Sequence, residues 1–147
     1  MKRILLIFAW LVCFAITAMA QAKYVFFFIG DGMGPNQVLA AEMYQAALKG
    51  EIGRVPLLMS QFPYSGQAAT FSASYGITDS AAAGTCLASG KKTNNGMIGQ
   101  TPDGELAISV ASQLKTEGWG VGIMSSVPVD HATPASHYAH AEKRYYY

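Results

Sequence analysis

A continuous run of apolar residues early in the chain constrains its fold more than any other feature. Residues 23–29 read Lys-Tyr-Val-Phe-Phe-Phe-Ile and are followed at once by Gly-Asp-Gly at 30–32. The run does not alternate between polar and apolar residues, so it predicts a strand buried on both faces, as in a parallel sheet. A similar run at 119–124 predicts a second buried strand.

Helical patterns separate these two runs. Strands that alternate with helices predict an α/β protein, here a layered α/β/α domain around a mainly parallel sheet. Glycines just beyond the apolar patterns indicate where the helices end. One predicted helix follows Pro35 and closes at Gly50. The others cover 80–89, 105–117 and 134–144, with a short strand at 66–71.

The first residues have the layout of a secretory signal peptide. Residues 2–3 are basic, 4–16 are apolar, and Ala-Met-Ala at 18–20 is a small-x-small cleavage site. The chain therefore divides into a signal peptide at 1–20 and a mature part at 21–147. We expect export to the periplasm or the cell exterior, with no stable membrane anchor. A retained anchor is the alternative, because the apolar run is only slightly shorter than a membrane-spanning helix.

The charge of the mature part gives no sign of a polyanionic partner. The sequence has 10 Lys and Arg residues and 9 Asp and Glu residues, so loss of Lys2 and Arg3 leaves a net charge of −1. We therefore expect no binding to nucleic acid, which depends on a basic excess. Cys13 leaves with the signal peptide, and Cys86 alone forms no internal disulfide.

A serine follows a carboxylate at the start of a predicted Ala-rich helix. Asp79 and Ser80 precede three alanines at 81–83. A helix start offers unpaired N–H groups and the positive end of the helix dipole, so a serine hydroxyl there is well placed to meet a phosphate. In the alternative interpretation, Asp79 and Ser80 simply cap the helix.

Two further groups of polar residues follow the predicted strands. Asp31 lies just past the first strand, and Asp130 and His131 lie just past the second. The carboxyl ends of parallel strands share an edge, so we expect these residues on one rim of the sheet. His131 and Thr133, two residues apart on an extended segment, would point the same way and could join a carboxylate in holding a cation. The alternatives are a plain Asp-Gly turn, a structural histidine and a helix-capping threonine.

These motifs together resemble the alkaline phosphatase family. The resemblance rests on Phe-Ile-Gly-Asp-Gly-Met-Gly at 28–34, Thr-Asp-Ser-Ala-Ala at 78–82 and His-Ala-Thr-Pro-Ala at 131–135. The segment at 90–96 is similar to the loop that follows the nucleophile helix in that family. The resemblance extends over about 23–144, essentially the whole mature chain, and corresponds to the N-terminal portion of the family's α/β domain.

The resemblance implies a metal site. Asp31 would bridge one zinc ion and the magnesium ion, and Ser80 would be activated by that zinc. His131 and Thr133 would belong to the magnesium site. Two Zn²⁺ and one Mg²⁺ are implied for a full-length enzyme. The family has either Asp or His at the position of His131, so the metal preference of that site stays open.

The resemblance also implies a phosphate site and a reaction. Ser80 would be the nucleophile and would form a phosphoserine intermediate, while Arg144 would bind the phosphate and Asp79 would help to orient Arg144. His137 and His140 have no role implied by the family, and we interpret both as helix-surface or packing residues.

The implied function is metal-dependent hydrolysis of small phosphate monoesters, by a full-length protein that could be a homodimer. The remaining zinc ligands of the family lie in later parts of its chains, and after His140 only Glu142 could serve as a ligand here. We therefore expect an apparently truncated chain with little or no activity alone. The alternatives are a related phosphodiesterase of the same superfamily, and a non-catalytic exported fragment with a partial anion or metal site.

Overall fold

The computed structural model describes residues 22–146. The chain divides into two compact units, 1–30 and 31–147. The helices of the described residues, and all the residues predicted to form the site, lie in the second unit. The signal peptide predicted at 1–20 lies outside the described residues.

In the first unit, the described residues 22–30 belong to no strand. Their aromatic side chains are exposed, with Phe28 exposing 86% of its surface. The structure therefore does not confirm the buried strand predicted at 23–29. Extended backbone becomes a buried strand only where other strands pair with it and helices cover both faces, and the residue pattern alone provides neither.

The strands predicted at 119–124 and 66–71 are not confirmed either. Neither segment is paired as a strand, and Met124 is 95% exposed. Across the described residues, β-pairing is limited to two isolated antiparallel bridges, Ile98 with Ala141 and Gln100 with Leu106. The predicted parallel sheet is not confirmed by this part of the chain.

Helices account for the regular structure in residues 22–146. The helix Ser80–Ser89 has its predicted bounds and is followed by Gly90, whose φ of 73° lies in the left-handed region that glycine adopts readily. No helix in this range is long and apolar enough to cross a membrane. The α-helices are α1 (Pro35–Leu48), α2 (Ser80–Ser89), α3 (Val110–Thr116) and α4 (Ala132–Ala135).

Helix α3 begins later than predicted. The Ser109 hydroxyl accepts a hydrogen bond from the N–H of Ser112 at 3.0 Å, so Ser109 is the N-cap and α3 starts after it. The preceding residues form a tight turn in which Leu106 pairs with Gln100. The turn is closed by backbone hydrogen bonds from the Thr101 N–H to the Glu105 carbonyl at 2.8 Å and from the Gly104 N–H to the Thr101 carbonyl at 2.9 Å.

Helix α4 ends much earlier than predicted. The chain turns at 136–138 rather than continuing as a helix to 144. Ala141 then exchanges two backbone hydrogen bonds of 2.9 Å with Ile98. This pairing over a long sequence distance overrides the local helical tendency of the segment.

A buried glutamate in α1 anchors the segment that follows this helix. Glu42, in the middle of α1, is 1% exposed. Its carboxylate accepts hydrogen bonds from the Ser60 hydroxyl at 2.6 Å, the Leu57 N–H at 3.1 Å and Arg54 at 3.1 Å. The bond from Ser60 contributes most to lowering the pKa of Glu42, followed by the bond from Leu57. The segment after α1 therefore contains an anchored 3₁₀ helix, Leu58–Gln61.

Small side chains hold α2 against α4. Gly84 in α2 faces Ser136, so closely that a Cβ on Gly84 would lie 2.6 Å from the Ser136 hydroxyl oxygen. The absence of large side chains lets the two helices approach, which brings the start of α2 close to α4. The buried core cluster consists of Ala81, Ile98, Ala132 and Ala135.

Candidate functional site

One carboxylate oxygen joins two hydroxyl groups at the start of α2. Asp31 Oδ2 accepts hydrogen bonds from Ser80 Oγ and from Thr133 Oγ1, each at 2.9 Å. The three residues are far apart in sequence. Packing of α2 on α4 brings Ser80 and Thr133 together, and the Asp31 carboxylate bridges them. The structure thus brings together three of the four metal-site residues predicted from the sequence.

Local hydrogen bonding determines where Ser80 lies. Asp79 is the N-cap of α2, with its Oδ1 accepting from the Ala82 N–H at 2.9 Å. Ser80 is then the first residue of the helix, beside N–H groups that have no partner within the helix. The capping interpretation of Asp79 is therefore confirmed. It is compatible with anion binding, because the cap uses only part of the helix start.

Asp79 also contacts Arg144. Asp79 Oδ2 accepts hydrogen bonds from Arg144 Nη1 at 3.3 Å and from the Gly96 N–H at 3.1 Å. The two charged side chains are 20% and 26% exposed, so the ion pair lies in a partly desolvated setting. The backbone N–H of Arg144 donates to the Gly96 carbonyl at 2.7 Å. Both ends of Arg144 are therefore fixed relative to the start of α2.

His131 lies at the N-cap position of α4. Its Nδ1 is buried and has no hydrogen-bond partner within the described part of the chain. Burying an unpaired ring nitrogen is costly, so this atom is a candidate for a ligand. The structure places His131 two residues before Thr133, but it joins only Thr133 to Asp31 by a hydrogen bond.

The donor atoms of this site suit a hard cation. One carboxylate and two hydroxyl oxygens meet at Asp31, and Mg²⁺ prefers oxygen ligands of this kind. The unpaired nitrogen of His131 adds a possible fourth ligand nearby in sequence. Within residues 22–146, no three His, Cys, Asp or Glu side chains converge as a metal site requires. The residues present fit part of a metal centre.

Sequence reasoning missed residues of the loop after α2. Asn95 accepts from the Asp79 N–H at 3.2 Å through its side-chain oxygen and donates to the Ile77 carbonyl at 3.0 Å. The resemblance of 90–96 to a family loop predicts no role for its side chains. The signal in the sequence is an Asn-Gly pair close to the predicted site. The interpretation of His140 as a helix-surface or packing residue also misses a contact, because its Nδ1 lies 2.6 Å from the Gly99 carbonyl oxygen.

Comparisons with known proteins agree on one family. The chain matches the family profile described as alkaline phosphatase over residues 22–147. It is 36% identical over 137 residues to the tissue-nonspecific alkaline phosphatase of Gallus gallus, a match that covers 86% of this chain and 26% of the relative. The chain thus spans about a quarter of the length of that curated relative.

Solved structures give the same result. A cold-active alkaline phosphatase from a Shewanella species superposes with a TM-score of 0.71 at 32% identity, covering 79% of this chain and 29% of that one. A mutant of the TAB5 alkaline phosphatase, with a histidine changed to aspartate and Mg bound in its M3 site, gives a TM-score of 0.50 at 33% identity, covering 51% and 22%. These neighbours have an α/β fold. The chain belongs to the alkaline phosphatase family.

Proposed function

We propose that this chain supplies the nucleophile and part of the metal site of an enzyme that hydrolyses phosphate monoesters through a phosphoserine at Ser80. The observation that carries the proposal is the hydrogen bond of 2.9 Å from Ser80 Oγ to Asp31 Oδ2, at the N-terminus of α2. Membership of the alkaline phosphatase family supports the reaction class.

Ser80 is the group that attacks phosphorus. Its oxygen forms a bond to phosphorus while the bond from phosphorus to the ester oxygen breaks. The Ser80 proton, held between Ser80 Oγ and Asp31 Oδ2, is released to solvent, and the departing alcohol takes a proton from solvent. Water then breaks the phosphoserine bond, which releases phosphate and restores the Ser80 hydroxyl.

Arg144 and the start of α2 bind the phosphoryl oxygens. A planar guanidinium can donate two parallel hydrogen bonds to a phosphate, and the free N–H groups of a helix start add more. Asp79 holds Arg144 at 3.3 Å and caps α2 at the same time, so it orients the guanidinium without having to contact the phosphate. Most of the work of phosphoryl transfer is positioning and charge stabilisation of this kind.

Asp31, His131 and Thr133 would hold Mg²⁺, and Asp31 and Ser80 would face a zinc ion. The shared Asp31 oxygen and the unpaired Nδ1 of His131 support this assignment. When bound, the ions would neutralise charge on phosphate and favour the ionised form of the serine oxygen. The set implied for the full-length family enzyme is two Zn²⁺ and one Mg²⁺.

The proposal also covers localisation, substrate and assembly. The chain would be exported with residues 1–20 as a signal peptide, would act on small phosphate monoesters, and could form homodimers as part of a longer protein. Alone the chain would hydrolyse phosphate monoesters slowly, because a catalytic zinc needs about three protein ligands.

The proposal includes a fold for the domain at 21–147. Segments 23–29 and 119–124 would be strands of a mainly parallel sheet within it.

Covalent labelling of Ser80 tests the proposal. The chain is incubated with p-nitrophenyl phosphate, Zn²⁺ and Mg²⁺, and its peptides are searched by mass spectrometry for an added phosphoryl group. We expect a phosphoryl label at Ser80 and slow hydrolysis of p-nitrophenyl phosphate. The diester bis(p-nitrophenyl) phosphate, used in place of the monoester, should give much less label.

Ser89→Ala is the matched control, since Ser89 ends the same helix and donates to the Thr85 carbonyl at 2.7 Å. It should keep the label, whereas Ser80→Ala should lose it. Absence of label at Ser80, or preferential labelling by the diester, would contradict the proposal. Rapid turnover would contradict the expectation of low activity.

A further inference from the structure

The segment that carries Arg144 is attached to the loop after α2 at three successive points. Arg144 N–H donates to the Gly96 carbonyl at 2.7 Å, and Ala141 exchanges two hydrogen bonds of 2.9 Å with Ile98. The third point is the imidazole of His140, whose Nδ1 lies 2.6 Å from the Gly99 carbonyl oxygen. The placement of Arg144 therefore depends on how this segment sits against 96–99.

The contact of His140 with Gly99 has a defined chemical direction. A carbonyl oxygen only accepts, so His140 Nδ1 must carry the proton and donate. Gly99 adopts a φ of 59°, and a Cβ there would collide with the Ala139 carbonyl and come within 2.6 Å of His140 Nδ1. Only a glycine lets the two segments approach this closely. The Gly99 carbonyl also accepts from the Ala107 N–H at 2.9 Å, which fixes its own direction.

Packing does not account for His140. The residue is exposed overall, so replacing it removes little buried apolar surface. What it contributes is one short hydrogen bond across 41 positions of sequence. Four residues further on, the same segment presents Arg144 to Asp79.

We propose that His140 is a positioning residue for Arg144, acting through its hydrogen bond to the Gly99 carbonyl. The proposal rests on the proposed function in one respect, that Arg144 binds phosphate. By holding Gly99, His140 keeps the Arg144 segment in register with Gly96, and so keeps the guanidinium beside Asp79. An asparagine at position 140 could place a side-chain N–H near the position of Nδ1, whereas alanine could not.

Two measurements on the full chain test this role. The first is the ¹⁵N-resolved NMR signal of the Arg144 Nε–H, which reports on the order of the side chain without any ligand. The second is the affinity for inorganic phosphate, measured by titration. The variants are His140→Ala, His140→Asn and the control His137→Ala, which removes an imidazole from the preceding turn.

We expect His140→Ala to broaden or shift the Arg144 signal and to weaken phosphate binding by about tenfold, the factor that loss of one ordinary hydrogen bond gives. His140→Asn should restore most of both properties, and His137→Ala should leave the Arg144 signal unchanged. Rescue by asparagine separates a hydrogen bond from a general loss of folding.

An Arg144 signal that is the same in His140→Ala and in the unchanged chain would overturn the proposal. Equal disturbance by alanine and asparagine would also overturn it. If the unchanged chain binds no phosphate, the proposed function fails at Arg144, while the ligand-free signal still decides the role of His140.

Discussion

Replacing Asp79 with alanine should loosen the start of α2 and the Arg144 segment at the same time. Its two carboxylate oxygens have separate partners. Oδ1 accepts from the Ala82 N–H at 2.9 Å, and Oδ2 accepts from the Gly96 N–H at 3.1 Å and from Arg144 at 3.3 Å. Removing the side chain leaves two backbone donors without an acceptor.

The expected cost follows from these contacts. Loss of an N-cap costs about 1 kcal/mol. A partly buried N–H left without its partner costs about 1 kcal/mol more. The ion pair adds less than about 1 kcal/mol, because both side chains remain 20–26% exposed to screening solvent. A total near 2 kcal/mol corresponds to local opening that is about thirtyfold more frequent.

Amide hydrogen exchange measures the frequency of this local opening directly, one N–H at a time. In Asp79→Ala, the N–H groups of Ala82 and Gly96 should both exchange about thirtyfold faster. Asp79→Asn is the matched control, because asparagine caps helices as well as aspartate does. It should restore protection at Ala82 but not at Gly96, since its NH₂ group faces the Gly96 donor when its oxygen caps the helix. Unchanged exchange in Asp79→Ala, or identical profiles for the two variants, would refute this division of roles.

Two further predictions concern packing and pH. The hydrogen bonds that lower the pKa of Glu42 stabilise its ionised form, so their contribution to stability is fully present above about pH 4.5, the ordinary pKa of a glutamate, and is lost as the pH falls through the lower folded value. The protection of the Leu57 N–H, taken as its exchange rate relative to an unstructured amide at the same pH, should fall in acid. Glu42→Gln should remove that pH dependence, and the control Glu51→Gln, at an exposed residue, should keep it. Gly84→Ala should destabilise the contact of α2 with α4 by about 1–3 kcal/mol, because its Cβ would crowd the Ser136 hydroxyl. Chemical denaturation should show partial relief of that cost when Ser136→Ala is added, and no relief would contradict the packing argument.

Features determined by neighbouring residues could be predicted from the sequence. Helix α2 has the predicted bounds because Asp79 caps it and Gly90 ends it, and these two residues directly flank the helix in sequence. Pro35 at the start of α1 is a local signal of the same kind. The convergence of Asp31, Ser80 and Thr133 followed from the resemblance to a family, not from local pattern.

Features that depend on distant partners could not be predicted from the sequence alone. The apolar run at 23–29 has the composition of a buried strand, but pairing and covering require other segments, and here Phe28 is exposed. The segment after α4 has a helical pattern, but Ala141 pairs with Ile98 instead. The roles of Asn95 and His140 depend on contacts with Asp79 and Gly99 that no residue spacing encodes.

The start of α2 joins two halves of the candidate site that are otherwise separate. Ser80 belongs to the half that contains Asp31 and Thr133, and Asp79 belongs to the half that contains Gly96 and Arg144. Because Asp79 and Ser80 are adjacent in the chain, the distance between Ser80, the proposed nucleophile, and the Arg144 guanidinium is set by one peptide link and by the hydrogen bonds of Asp79. A change that moves the start of α2 must therefore displace both groups, whereas a change at Gly99 or His140 should displace Arg144 and leave Ser80 in place.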